Sequence, residues 1–223
     1  MVSYRRILLK LSGEALKSDN NNIDPEMLKK VVTIVQSALD LGVEIAIVIG
    51  GGNIYRGATL ASDGMNKITG DHIGMLATVM NALAISDAFE RNNIPSIVMS
   101  GFSIGGGVCD PFNHTKAKNA LSKGKVVIFS AGTGSPCFIT DTAAALRAVE
   151  IKADIVFKAT KVDGIYSSDP LKDSNAIKFD VLSFDSAIEK NIKVMDTSAF
   201  ALCRENNIRI CVFSMFDDNY ALA

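Results

Sequence analysis

Six short runs rich in β-branched and aromatic residues alternate with segments of helical patterning, at residues 7–11, 43–49, 96–99, 125–129, 155–158 and 208–213. Strands separated by helices usually pair in parallel, because each return to the same end of a sheet needs a crossover. The order therefore predicts an α/β fold with an open, largely parallel sheet and helices on both faces. No linker or repeat divides residues 1–223, so we expect a single domain.

Two of the intervening segments have strong helical patterns. In residues 25–41 the apolar positions form one stripe, Asp24 can cap the first turn, Pro25 suits the first position, and Gly42 follows the end. Residues 71–93 are apolar nearly all round, which is typical of a helix buried on every side. In a chain of 223 residues, we expect part of that burial to lie at an interface between subunits.

Composition narrows the function classes. The formal net charge of -1 argues against a sequence-wide basic face, so we expect no obligatory nucleic-acid partner. Four cysteines without a CxxC pair, and two histidines far apart in sequence, argue against a structural zinc site or a disulfide framework. The N-terminus is too short and charged for a signal peptide, and no uninterrupted apolar run reaches the ~18 residues of a membrane span. We therefore expect a cytoplasmic protein with no membrane partner.

Four segments rich in glycine, serine or threonine follow predicted strands, at residues 10–14, 50–57, 131–136 and 158–164. In an open α/β sheet, ligands bind at the carboxyl ends of the strands, where glycine exposes backbone N–H groups to phosphate oxygens. Four such loops predict a polyphosphate ligand and a second substrate. Neither GxxxxGKS nor GxxxxGKT occurs, and Tyr55 interrupts a GxGxxG pattern, so P-loop and dinucleotide-binding folds are not supported. The glycine triplet alone is equally compatible with a tight turn.

Several motifs together resemble the amino acid kinase family: residues 10–13, 49–53 and 158–164. Residues 56–57, 70–72, 74–81, 108–110, 130–134 and 193–196 resemble its UMP-phosphorylating branch, and the similarity spans about residues 5–213. The resemblance implies a sheet of about eight strands and phosphoryl transfer from Mg·ATP to UMP, giving UDP and ADP in pyrimidine biosynthesis. It also implies a homohexamer, feedback inhibition by UTP, and Mg²⁺ held mainly by the nucleotide phosphates rather than by protein ligands.

The resemblance also implies roles for individual residues. A catalytic group would comprise Lys10, Lys158 and Asp141, with Asp196 close by. The ATP-binding residues would be Lys10, Leu11, Ser12, Gly13, Gly52, Arg56, Thr160, Tyr166 and Asp169. The UMP-binding residues would be Gly51, Arg56, Asp71, Thr133, Gly134, Ser135, Pro136, Cys137, Phe138, Ile139 and Thr140, with Asp71 on the ribose.

These residue types suit the chemistry, although several have plainer interpretations. A phosphate acceptor is already anionic, so the reaction needs positive charge and alignment rather than a general base. Lys10 could instead be a solvated strand end, and Asp71 and Asp141 could cap helices, as well as or instead of binding. The pair Asp163-Gly164 is a turn signal, which predicts that residues 161–170 form a small hairpin over the nucleotide, with Tyr166 near the base.

The sequence departs from the family pattern in two places. Residues 17–22 contain an asparagine run where many relatives have the glycine-rich stretch linked to GTP activation, so that activation does not carry over. Relatives also continue with a last strand past the position of Ala223. Three rival functions remain open: an acetylglutamate-type kinase, a non-catalytic nucleotide-binding protein, and a regulatory nucleic-acid-binding protein. Arg56 and Asp71 favour a nucleotide acceptor over an amino acid, because phosphate and ribose need such partners.

Overall fold

The computed structural model describes residues 3–55 and 64–215. Within these ranges one parallel sheet has seven strands, in the order β4-β3-β5-β2-β1-β6-β9. They are β1 (Arg6–Leu11), β2 (Glu44–Ile49), β3 (Ser96–Ser100), β4 (Asp110–Pro111), β5 (Val126–Ser130), β6 (Ile155–Thr160) and β9 (Arg209–Ser214). All six predicted strands are confirmed. The described part of the sheet has seven strands where about eight were expected, and β4 is too short to leave a periodic pattern.

A separate antiparallel ribbon lies outside this sheet and pairs β7 (Ile165–Tyr166) with β8 (Lys178–Phe179). The loop between its strands runs from residue 167 to residue 177. The prediction of a small hairpin within residues 161–170 is therefore wrong in its bounds, because Asp163 and Gly164 precede the first strand of the ribbon and the second strand begins at Lys178. Asp163 instead accepts hydrogen bonds from Tyr166 and Lys178 at 2.6 Å each, which tie the two strands together.

Helices join the strands: α1 (Pro25–Asp40), α2 (Lys67–Arg91), α3 (His114–Leu121), α4 (Thr140–Ile151), α5 (Phe184–Glu189) and α6 (Thr197–Glu205). A 3₁₀ turn, Gly13–Leu16, follows β1. The Asp24 carboxylate caps α1 by accepting from the N–H groups of Glu26 and Met27, as predicted. Helix α2 begins earlier than predicted, because Asn66 caps it. The interpretation of Asp71 as a cap is therefore wrong.

The core consists of two apolar layers, one on each face of the sheet. Alternate residues of a strand point to opposite faces, so Leu9 packs with α1 and α2, whereas Leu8 packs with α4 and α6. The inner strands are therefore apolar at almost every position, as parallel strands covered on both faces must be. By the same alternation, Lys10 of β1 and Lys158 of β6 lie on the face covered by α4.

Helix α2 shows two different surfaces. Ala82, Ile85 and Phe89 are fully buried in the core, whereas Leu76, Met80 and Leu83 are exposed. By length and composition α2 is the one helix in the described ranges that could cross a membrane, but half of its most apolar stretch is buried. It packs against α1, β3 and β5, so we assign it to the core. The expected burial on every side is therefore incomplete within one chain.

The strand order brings the predicted loops together. Strands β5, β2, β1 and β6 are consecutive neighbours in the sheet, and all of them run in the same direction. Their carboxyl ends therefore meet at one edge of the sheet. The four glycine-, serine- or threonine-rich loops are the ones that leave this edge. The fold thus gathers into one place segments that are up to about 150 residues apart in the chain.

Candidate active site

A cluster of two lysines and one aspartate lies at this edge. Lys10 and Lys158 are partners in the β1–β6 register. The Lys10 Nζ lies 2.7 Å from Asp141 Oδ1, and the Lys158 Nζ lies 2.7 Å from Asp141 Oδ2. The three side chains are only 10–13% exposed. Lys10 is thus not a solvated strand end, and Lys10, Lys158 and Asp141 lie together in one cluster.

This cluster carries a net charge of about +1 when both lysines are protonated, because one carboxylate faces two ammonium groups. Burial acts to raise the pKa of Asp141, but Lys10 and Lys158 more than offset it, so the pKa is lowered. Burial, together with the neighbouring Lys10 charge, lowers the pKa of Lys158, and Asp141 opposes that shift. The surplus positive charge is available to an anionic ligand.

Asp141 does not cap a helix. Helix α4 begins at Thr140, and its N-cap residue, Ile139, makes no side-chain capping bond. Asp141 is thus in the first turn, where its carboxylate reaches toward the sheet. The alternative interpretation of Asp141 as a capping residue is wrong.

Asp196 has a supporting position beside this cluster. Its carboxylate caps α6 by accepting from the Ala199 N–H at 2.7 Å, and it also accepts from the Thr142 N–H and Oγ1. It therefore fastens α6 to the first turn of α4, which carries Asp141. Lys158 also donates to the carbonyl oxygen of Val194, just before Asp196. We assign Asp196 to positioning, since these bonds occupy its carboxylate.

The loops after β1 and β2 pack backbone against backbone. A Cβ on Gly13 would lie 2.6 Å from the Gly52 nitrogen, and a Cβ on Gly51 would lie 2.7 Å from the Gly74 oxygen. No side chain fits at either position, so these glycines are required by the close approach. Ser12 is half-buried beside them, whereas Leu11 is fully buried and belongs to the core. Leu11 can therefore face a nucleotide through its backbone only.

Two buried asparagines hold the glycine-rich loop. Asn53 and Asn81 exchange amide hydrogen bonds at 2.7 and 3.0 Å, and Asn81 also donates to the Gly50 carbonyl oxygen at 2.7 Å. Asn53 donates in addition to the carbonyl oxygen of Asn22, which links the asparagine run to the site. Sequence reasoning missed this pair, because an asparagine inside an apolar helix gives no periodic signal.

The segment after β5, residues 131–139, is called the acceptor loop below, after the role that the family resemblance implies for it. Asp71 of α2 accepts from the Cys137 N–H at 2.7 Å and pairs with Lys67 at 3.1 Å. These hydrogen bonds, from Cys137 first and Lys67 second, lower the pKa of Asp71. Cys137 therefore contacts Asp71 through its backbone. The predicted members of this segment and its continuation are Thr133, Gly134, Ser135, Pro136, Cys137, Phe138, Ile139 and Thr140. Arg56 lies outside the described residues.

A cavity of about 730 Å³ opens beside Lys158. Its lining includes the three residues predicted for the adenine nucleotide, Thr160, Tyr166 and Asp169. Residues 191–194 and Val162 also line it and were not predicted. The volume is in the range of small-molecule sites. The two hydrogen bonds from Lys178 and Tyr166 lower the pKa of Asp163 to about 2, so the carboxylate that ties the two ribbon strands together is ionised at neutral pH.

Comparison with known proteins agrees with this architecture. The model of the Amino acid kinase family matches residues 5–214. The chain therefore belongs to the amino acid kinase family.

Individual relatives have names that are more specific than the family. The chain is 68% identical to the uridylate kinase of Ruthia magnifica subsp. Calyptogena magnifica, over 100% of this chain and 93% of that protein. It is 55% identical to the uridylate kinase of Stutzerimonas stutzeri, over 95% of this chain and 86% of that protein. The crystal structure of UMP kinase from Bacillus anthracis matches with a TM-score of 0.93 at 34% identity, covering 97% of this chain and 89% of that one.

Proposed function

We propose that this chain is a UMP kinase, which transfers the γ-phosphoryl group of Mg·ATP to UMP and releases UDP and ADP in pyrimidine nucleotide biosynthesis. The main support is the shared carboxylate of Asp141, which links the cavity beside Lys158 to Lys10. The acceptor loop leads directly into the helix turn that carries Asp141. The names of the relatives at 55–68% identity agree with this substrate pair.

The chemistry follows from charge rather than from a general base. The attacking oxygen of UMP is an anion at neutral pH, and it must approach a polyphosphate that is also anionic. Each like-charge pair at ~4 Å costs about 4 kcal/mol at an effective dielectric of 20. Lys10 and Lys158 would offset part of this repulsion and hold the transferred group in line. Asp141 would keep the two ammonium groups together and oriented.

Mg²⁺ would enter as part of the Mg·ATP substrate and shield the β- and γ-phosphates. In residues 3–55 and 64–215, no three side chains of His, Cys, Asp or Glu converge on a point where a metal could be held. Both oxygens of Asp141 face lysines. We propose that the nucleotide phosphates and water supply the ligands of the ion.

The remaining residue roles belong to the same proposal. Gly13, Gly52 and Ser12 would face the ATP phosphates, and the cavity of about 730 Å³ would take the adenine nucleotide. Gly51 and Arg56 would face the UMP phosphate, with Arg56 also reaching the ATP side. Asp71 would hold the ribose, because a carboxylate can accept from two hydroxyl groups.

The deciding experiment offers the enzyme Mg·ATP with single acceptors: UMP, CMP, AMP, GMP, aspartate, acetylglutamate or carbamate. We expect ADP release with UMP far above that with any other acceptor. Turnover with an amino acid would be consistent with the family but would contradict UMP as the acceptor. No turnover with any acceptor would indicate a non-catalytic nucleotide-binding protein. Lys158→Met should abolish the activity, whereas Lys161→Met should leave it nearly unchanged, because the neighbouring Lys161 side chain is exposed.

We also propose that the chain forms a homohexamer in the cytoplasm and that UTP inhibits it. The exposed stripe of Leu76, Met80 and Leu83 on α2 supports the association, because it continues the apolar surface of a core helix. Sedimentation would measure the assembly. A UTP titration at fixed Mg·ATP and UMP would test the inhibition, with CTP as the matched control.

A further inference from the structure

Three side chains hold the backbone of the acceptor loop from outside. At its start, the Ala131 N–H donates to the Thr78 hydroxyl at 2.6 Å, and near its end the Cys137 N–H donates to Asp71. Between them, the Arg147 guanidinium donates from Nη2 to the Gly132 carbonyl oxygen at 3.2 Å. Thr78 and Asp71 both belong to α2, whereas Arg147 belongs to α4. The loop is thus tied to one helix on each face of the sheet.

Arg147 has an unusual environment for a charged side chain. It is only 3% exposed, and its guanidinium carbon lies 3.8 Å from the centroid of the Phe112 ring. The second terminal nitrogen of the guanidinium, Nη1, lies 2.6 Å from Glu150 Oε2. A buried guanidinium is unfavourable unless charge, hydrogen bonds and an aromatic face compensate it. Here all three are present, and the planar fork is needed to reach Glu150 and Gly132 together.

The loop backbone needs such support. Ala131, Gly132 and Gly134 have φ values of 56°, 58° and 91°. A left-handed conformation is unfavourable for alanine, and consecutive left-handed residues do not propagate by themselves. A Cβ on Gly134 would lie 2.3 Å from the Gly101 oxygen, so this turn also packs against the loop after β3. The shape of the loop therefore depends on contacts from outside it.

We propose that Arg147 is a positioning residue for the acceptor, acting through the Gly132 carbonyl oxygen. Arg147 lies six residues along α4 from Asp141, so the same helix aligns the catalytic lysines and the acceptor loop. The inference rests on the proposed function, since it assigns the loop to UMP. Arg147 itself does not touch the substrate. It fixes the path of the backbone that does.

The kinetic test compares Arg147→Met with Glu150→Gln. The first variant removes the bond to Gly132 but keeps an unbranched side chain on Phe112, and the second weakens the ion pair but leaves that bond. We expect Arg147→Met to raise the KM for UMP about tenfold, with the KM for ATP changed by less than about twofold. Glu150→Gln should change neither constant by more than about twofold. Arg147→Lys should give an intermediate KM for UMP, because an ammonium group lacks the fork.

A structural readout separates this inference from the proposed function. Amide hydrogen exchange in the peptide over residues 131–137 should speed up about tenfold in Arg147→Met, while exchange in β5 stays unchanged. That measurement needs no substrate, and if the wild type used another acceptor, the kinetic test would use that acceptor instead. Three outcomes would each overturn the role of Arg147 as a positioning residue. They are equal rises in both KM values, the same kinetics in Arg147→Met and Glu150→Gln, and unchanged exchange in the loop. Arg147→Lys replaces Arg147→Met in both measurements if the latter does not fold.

Discussion

Asp141 shows how one residue can determine the charge of a site. It is buried between Lys10 and Lys158, and it opposes the effect of burial on the pKa of Lys158. Because its own pKa is below the ordinary 3.8, the stabilisation from its ionised form is complete above about pH 4 and fades as the pH falls through the lowered value. We therefore expect the Asp141 carboxylate to affect the stability of the protein at low pH and, through the pKa of Lys158, its activity at high pH.

We expect Asp141→Asn to lower kcat/KM about a hundredfold at neutral pH, because two unshielded ammonium groups then repel each other and lose their alignment. The alkaline limb of the pH–rate profile should also move to lower pH, since the carboxylate that raises the pKa of Lys158 is gone. Steady-state kinetics between pH 6 and pH 10, on the order of ten points, would measure both effects. Asp185→Asn is the control, because Asp185 is an exposed partner of Arg204. An unmoved alkaline limb would contradict the role of Asp141.

Asp71→Asn tests the ribose assignment. The amide oxygen can still accept from the Cys137 N–H, so the loop should keep its path, but the charged acceptor for hydroxyl groups is lost. We expect the KM for UMP to rise about tenfold or more while the KM for ATP stays within about twofold. Lys67→Met removes only the exposed partner of Asp71 and should have a much smaller effect. Equal losses for the two substrates would count against Asp71 as a ribose ligand.

Among the larger elements, the acceptor loop is more constrained than its sequence suggests. Gly134→Ala should destabilise the protein by about 2 kcal/mol or more, because the new Cβ meets the Gly101 oxygen at 2.3 Å and φ is +91°. Gly105→Ala is the matched control, since a Cβ there meets nothing within 4 Å. Thermal unfolding of both variants would measure the difference. Equal melting temperatures would show that the loop can move away from Gly101 at little cost.

The strands and the site differ in how far the sequence could predict them. The six predicted strands are apolar at nearly every position because both faces of the sheet are covered, and this gives a strong local signal. Strand β4 and the ribbon have two residues per strand, too few for a period. Lys10, Asp141 and Lys158 could be grouped only through the family resemblance, because their contact is long-range. Thr78, Asn81 and Arg147 were missed because polar residues inside helices ordinarily face solvent.

At the scale of the whole molecule, the exposed stripe on α2 should control assembly. We expect the double change Met80→Glu and Leu83→Glu to reduce the assembly to smaller species, since charges desolvated at an apolar interface are unfavourable. Val181→Glu is the control, because Val181 is 91% exposed near the ribbon. Sedimentation velocity would compare the two. An unchanged sedimentation coefficient in the double variant would assign the interface to another surface.

The pairing of Lys10 with Lys158 across β1 and β6 has a consequence for the cooperativity of unfolding. These strands are inside the sheet, so separating them would disrupt the core on both faces. Loss of catalysis in urea should therefore coincide with the loss of circular dichroism, as one transition. In the described residues the ribbon beside the cavity of about 730 Å³ pairs with none of the sheet strands, and Ile165 and Phe179 pack it against the core. We therefore expect the affinity for ATP to weaken at lower urea concentrations than the turnover number does. Turnover at saturating ATP would then report global folding, and the KM for ATP would report the local stability of the ribbon.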